Sequence, residues 1–243
     1  MDTVKISSKS VKMIAHRGLS GIERENTCPA FVAAGNRSYF GIETDVHMTK
    51  DGKFVIMHDQ TTERVSLGAH NINIEQVEHS VLENIVLPDK DGTTDRRDIR
   101  IPLLKEYISI CKKYEKICVL ELKMPFDDDS LVRMIDEICE LDYIENVVFI
   151  SFSFENCVSV RKLLPDNTVQ WLIGDKPITD DIVARLCEHK LDIDIYYKQL
   201  TSENIEMLHS KGVGVNCWTC DNKEDAEQLV SYGVDYITTN ILE

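Results

Sequence analysis

From residue 99 to the end of the chain, short runs rich in β-branched residues alternate with longer stretches whose apolar side chains recur at helical spacing. The longer stretches predict helices over 103–114, 130–141, 155–164, 180–190, 202–210 and 223–232. The short runs predict strands at 118–123 (CVLELK), 147–152 (VVFISF), 169–173 (VQWLI), 192–197 (DIDIYY), 213–218 (VGVNCW) and 236–240 (YITTN). Strict alternation of strand and helix implies parallel strands joined by helical crossovers, in either a doubly wound sheet or a TIM-type (β/α)₈ barrel.

Three more strands are expected upstream, at 12–16 (KMIAH), 41–46 (GIETDV) and 54–58 (FVIMH), one more than a barrel needs. The link between the second and third holds the turn pair Asp51-Gly52 and is too short for a crossover, so these two should form a hairpin. A hairpin rising from the C-terminal rim and returning to it would leave His58 where barrels place their chemistry. Residues 60–100 fit the alternation least: one helix is expected near 75–84, followed by the charged stretch DKDGTTDRRD. A segment of that length reads as an insertion over or beside the rim.

The length, 243 residues, suits one barrel domain over 1–243, with a core that needs no disulfides. The eight cysteines are scattered and lie mostly in apolar segments, as reduced cysteines do in a cytoplasmic protein. Neither a signal-peptide-like run nor a stretch near the ~20 apolar residues of a membrane span is apparent. With 27 Lys and Arg against 42 Asp and Glu, the formal net charge is −15, which argues against nucleic acid as a partner. An acidic protein acting on an anionic substrate must gather positive charge locally, and carboxylates holding a divalent cation achieve this.

Four strand ends carry candidate chemistry. His16-Arg17-Gly18 closes the first: a rim histidine suits proton transfer and the arginine fork suits a phosphate oxygen, although a capped strand end turned by glycine fits the same residues. In the second, Glu43 and Asp45 are two apart and share a face. Their mutual repulsion calls for a cation, and oxygen-only ligands suit Mg²⁺ or Ca²⁺, whereas a solvated strand end is the plainer alternative. His58 closes the third beside those carboxylates. Glu121 and Lys123 share a face at the fourth, either as metal ligand and phosphate contact or as a simple ion pair. Trp218, on one face with Asn216, should form an apolar wall for an alcohol; its neighbours Cys217 and Cys220 have redox-like spacing but lack the context of a redox helix.

In order along the chain, HRG (16–18), ENT with AF (25–31), IETDV with TKDG (42–52), VIMHD with R (55–64), IPLLKE (101–106), LELK (120–123), ISF (150–152) and a terminal W followed by GVDYITTN (218–240) resemble the glycerophosphodiester phosphodiesterases. The resemblance implies a TIM barrel with an insertion after the third strand candidate. It further implies His16 and His58 as the acid–base pair, Glu43, Asp45 and Glu121 as metal ligands, and Arg17 and Lys123 as phosphate contacts. Arg24 stands where the family usually has proline, and Asn240 where it typically has aspartate. The expected reaction is metal-dependent hydrolysis of a small-molecule glycerophosphodiester to glycerol phosphate and an alcohol. Its rivals are a phospholipase D-like or sphingomyelinase D-like activity on lysophospholipids, and a barrel that binds a phosphodiester without turnover. Head group, choice of metal and oligomeric state are left open.

Overall fold

A computed structural model describes residues 2–243. Eight parallel strands close on themselves: β1 (Lys12–Ala15), β2 (Gly41–Met48), β4 (Ile117–Leu122), β5 (Val147–Ser151), β6 (Val169–Ile173), β7 (Asp192–Tyr196), β8 (Val215–Trp218) and β9 (Tyr236–Thr239), with β9 pairing back onto β1. The ninth, β3 (Phe54–Ile56), lies outside this ring and pairs antiparallel with the end of β2. The register explains how β2 serves both neighbours: Gly41 and Ile42 pair with β1, whereas Val46, His47 and Met48 pair with β3 above the rim. The closed ring settles the choice between barrel and open sheet. The hairpin lets one extra strand leave and return without breaking closure.

The crossovers are α1 (Cys28–Gly35), α3 (Leu104–Lys113), α4 (Asp128–Cys139), α5 (Phe154–Leu163), α6 (Asp180–His189), α7 (Ser202–Ser210) and α8 (Lys223–Tyr232); α2 (His79–Leu82) is a single turn in the segment after β3. Their starts are written in the sequence. Thr27, Asp127, Ser153, Thr179, Thr201 and Asn222 each accept a backbone N–H from three residues on, a cap worth about 1 kcal/mol. The main core lies between strands and helices, and a smaller apolar set of Ile14, Val119, Val148, Ile150 and Leu172 fills the barrel interior.

Between β3 and α3 the chain builds a third cluster from Met57, Val65, Ile74, Leu82, Ile85, Leu87, Ile99 and Ile101, seated on Val55. The single helix expected near 75–84 is instead a 3₁₀ turn (Ile74–Gln76) followed by α2. Val77 between them is extended (φ −119°, ψ 159°), as suits a β-branched residue, and this breaks the helix. Two cysteines also depart from expectation: Cys139 and Cys187 are exposed rather than packed in the core.

Candidate active site

The turn after β1 is the first structural device of the site. Arg17 and Gly18 both adopt positive φ (53° and 74°), and in that conformation the Arg17 N–H donates to Glu43 Oε2 at 2.8 Å. Glycine at 18 is required by contact as well as by φ, since a Cβ there would lie 2.7 Å from Ala30 Cβ on α1. With α1 held this close, Asn26 is buried against β2, where its Nδ2 donates to Asp45 Oδ2 at 2.7 Å. Thr44 Oγ1 donates to Asn26 Oδ1 and fixes the orientation of the amide.

Glu43, Asp45 and Glu121 meet at the rim, with one oxygen from each lying within 4.8 Å of the others. Sheet register dictates the meeting, because Asp45 on β2 stands directly beside Glu121 on β4. All three are buried. Lys123 Nζ lies 2.8 Å from Glu121 and 3.4 Å from Asp45, and Arg17 Nε lies 3.5 Å from Asp45. Burial would raise the Asp45 carboxyl, but Lys123 and Arg17 hold it well below the usual carboxylate range. Burial and then the neighbouring carboxylates push Glu43 well above that range, and burial followed by Asp45 pushes Glu121 up to about 8. Two cations are therefore too few for three carboxylates. Lys123 reaches the buried Asp45 Oδ1 only at 3.4 Å and without hydrogen-bond geometry, so that oxygen accepts no hydrogen bond. A charge deficit and an orphaned hard oxygen are what a divalent cation relieves, so this group could hold one.

The two histidines are oriented by side chains behind them. Asn240 donates through Nδ2 to Asp221 at 2.6 Å, and its Oδ1 accepts from Ser20 Oγ at 2.6 Å. The His16 Nδ1 at 2.8 Å from the same oxygen must therefore carry the proton, leaving Nε2 as the lone-pair nitrogen, 4.0 Å from Glu43. Burial, then the charge of Arg17, lowers the His16 pKa to about 4; burial also lowers that of His58. His58 Nδ1 lies 2.6 Å from Asp59 Oδ1. Asp59 is gripped by Arg64 (2.6 and 3.1 Å), Arg64 grips Glu25 (2.8 and 3.0 Å), and Glu25 holds Arg17 Nη1 at 2.8 Å. One chain of ion pairs thus runs from behind His58 to Arg17. Buried His47 adds a contact of 3.3 Å from Nε2 to the His58 carbonyl.

His16, Arg17, Glu43, His58, Glu121 and Trp218 line one cavity of about 180 Å³, with Asp45 and Lys123 joined to its wall by the ion pairs above. All eight residues singled out from the sequence therefore converge. Trp218 packs edge-on against Phe152, ring centres 5.8 Å apart, so one wall is aromatic. Cys217 and Cys220 are both buried, and burial pushes the Cys220 thiol up to about 12, so neither sulfur is poised as a thiolate. Sequence reasoning did not single out Asp194, which lines the cavity from β7, nor the orienting role of Asn240.

A sequence model of the glycerophosphoryl diester phosphodiesterase family matches residues 16–243. The chain belongs to that family. A glycerophosphodiester phosphodiesterase of Caldanaerobacter subterraneus subsp. tengcongensis is 29% identical over 233 residues, covering 94% of this chain and 93% of that protein. One from Bacillus subtilis is 27% identical over 251 residues, covering 97% and 85% respectively. Among solved structures, an Oleispira antarctica phosphodiesterase in complex with the product sn-glycerol-3-phosphate superposes with a TM-score of 0.83 at 23% identity, covering 97% of this chain and 95% of that one. A glycerophosphodiester phosphodiesterase from Parabacteroides distasonis gives 0.77 at 25% identity, covering 99% and 94%. The TIM barrel, one of the two architectures that the alternation of elements allowed and the one that the resemblance implied, is thus the fold shared with these relatives. Among the described residues no helix is long and apolar enough to cross a membrane.

Proposed function

We propose that this member of the glycerophosphodiester phosphodiesterase family hydrolyses a glycerophosphodiester to glycerol phosphate and an alcohol, using His16 and His58 as its proton-transfer pair. The observation carrying this reading is that both histidines, each held through Nδ1, face one cavity that Glu43 and Glu121 of the acidic group also line. Residues 1–243 act as one barrel unit, with the 60–100 insertion supplying Arg64 behind His58. The free cysteines fit a reducing, cytoplasmic setting.

Glu43, Asp45 and Glu121 are the ligands for Mg²⁺ or Ca²⁺, which supplies the positive charge that an anionic diester requires. Arg17, which lines the cavity, and Lys123 add donors for the phosphate oxygens. One histidine takes the proton of the attacking hydroxyl through Nε2, and the other gives a proton to the departing alcohol oxygen. No serine or cysteine paired with a base stands at the described site, which favours the substrate's own glycerol hydroxyl as the attacking group. Such a hydroxyl is already positioned, and intramolecular attack reaches effective molarities of about 10⁵ M or more. Attack on phosphorus then expels the alcohol and leaves a cyclic glycerol phosphate. Water opens the ring as the histidines exchange roles.

The test is turnover of glycerophosphocholine with chelator and with metal added back. Activity should vanish with chelator and return with Mg²⁺ or Ca²⁺; full turnover in metal-free protein would overturn the assignment. An analogue lacking the hydroxyl next to the phosphoester should bind and turn over extremely slowly, and hydrolysis at a comparable rate would point to direct attack by water. Exclusive turnover of dispersed lysophospholipid would favour the lysolipid activity instead.

A further inference from the structure

The β6–β8 side of the barrel holds polar groups that the reaction above leaves unused. Asp194 on β7 is 2% exposed, yet it lines the cavity, and its Oδ1 has no hydrogen-bond partner. Register places it between Leu172 and Asn216. Asn216 Nδ2 is committed to Gln170 Oε1 at 2.8 Å, leaving the Gln170 Nε2 without a partner, and the Trp218 indole N–H is likewise buried and unpartnered. Buried polar groups are ordinarily paired, and each exception needs a reason. No Lys or Arg stands on this side of the cavity, and burial pushes the Asp194 carboxyl well above its usual range. The surroundings therefore reject an anion and suit a neutral group that both donates and accepts. A hydroxyl is such a group.

The cavity has an acidic, cationic and imidazole side facing the place of the phosphate, and Ile150, Leu172 and Trp218 as apolar wall on the other. A glycerophosphodiester has one constant end, the glycerol, and one variable end, the alcohol. The constant end suits an enclosed subsite of fixed hydrogen-bonding groups, while the variable end needs the mouth, where Phe152 is half exposed. Resting on the proposed glycerophosphodiester reaction, we propose that Asp194 and the indole N–H of Trp218 bind the glycerol hydroxyl remote from the phosphate, and so select glycerol esters over esters of simpler diols.

The experiment is calorimetric titration, in Mg²⁺, of sn-glycerol 3-phosphate and of propane-1,2-diol 1-phosphate, which lacks only that remote hydroxyl. Wild-type protein should prefer the glycerol compound by about 10- to 100-fold, the effect of leaving a buried polar group unpaired. Asp194→Leu should bind both compounds with the wild type's affinity for the diol phosphate. It should also melt at a higher temperature, because the substitution removes a buried acceptor that nothing in the free protein satisfies. Asp194→Asn, which keeps an acceptor and a donor, should retain most of the preference. A wild type without preference, a preference surviving in Asp194→Leu, or an Asp194→Leu protein that fails to fold would each overturn the proposal, the last by making Asp194 a structural residue. Turnover of glycerophosphocholine by the same wild-type preparation separates the two claims. Selective binding without turnover would sink the hydrolysis and support the subsite, whereas turnover without selectivity would sink the subsite alone.

Discussion

The two sides of the cavity are built on opposite plans. On the β1–β4 side every charged group has an oppositely charged neighbour, and of their buried atoms only Asp45 Oδ1 and Arg17 Nε lack a hydrogen bond: Arg17, Glu25, Asp59, Arg64 and His58 form one continuous chain, and Asn26, Lys123 and the Arg17 backbone hold the three carboxylates. On the β6–β8 side, Gln170, Asp194 and Trp218 each keep a buried polar atom unpaired. An unpaired buried group costs about 1–3 kcal/mol, so the free protein bears a penalty there that a ligand can relieve. In the proposed reaction the paired side does the opposite work: it fixes geometry in advance for charge that develops during reaction, and its groups need not reorganise. Preorganised chemistry and unsatisfied recognition thus face each other across about 180 Å³.

The largest expected effect separates the plans by rate. His16→Ala and His58→Ala should each lower turnover by about 10²–10⁴, the usual contribution of a positioned acid or base. Both variants should keep fold and metal affinity, because neither ring belongs to the acidic group that could hold the ion. Circular dichroism, metal titration and steady-state kinetics check this, and near-normal turnover in either variant would make that histidine structural. Glu43→Gln, Asp45→Asn and Glu121→Gln should instead weaken metal affinity, since each loses an anionic oxygen. An unchanged titration for one of them removes it from the ligand set.

A smaller effect contrasts stability. Arg64→Leu leaves Glu25 and Asp59 facing each other without their shared cation, and should destabilise the fold by about 1 kcal/mol, since Arg64 is half exposed, while slowing turnover about tenfold through a looser His58. Asp194→Leu is expected to act in the reverse direction on stability. If urea unfolding showed both substitutions destabilising, the contrast between the two sides would fail.

The paired side was the legible one, and the reason is local. His16, Arg17, Glu43, Asp45, His58, Glu121 and Lys123 stand at the ends of apolar strands, where a polar residue interrupts a hydrophobic pattern. The β2–β3 hairpin followed from the short link and its Asp51-Gly52 turn pair. Asp194 was hidden because DIDIY alternates polar and apolar positions, which looks like an ordinary half-solvated strand. Only barrel closure shows that its aspartates face inward, Asp192 toward Gly214 N and Asp194 into the cavity. Asn240 was noticed as a departure from the family, but its effect on His16 depends on Ser20 and Asp221, which are distant in sequence. The break at Val77 escaped because helical spacing continues through it, while seating over Val55 decides the backbone.

The smallest expected effect tests whether the paired side contributes to stability or only to geometry. Burial alone would raise the Glu25 carboxyl, but hydrogen bonds from Arg64 and the charge of Arg17 bring it down to about 2 from an ordinary 4.5. A folded-state value below the unfolded one means the stabilisation is complete above about pH 4.5 and is lost as the pH falls toward 2. Arg64 is half exposed, so solvent screening limits the contribution to about 1 kcal/mol. Other carboxylates also titrate in this range, so the informative quantity is the difference between wild type and Glu25→Gln. Urea unfolding from pH 6 down to 3 should show wild type more stable at the upper end and the two proteins converging at the lower. Parallel curves would mean that the chain from His58 to Arg17 holds side chains in place without stabilising the fold, and that the penalty on the β6–β8 side is met by the core alone.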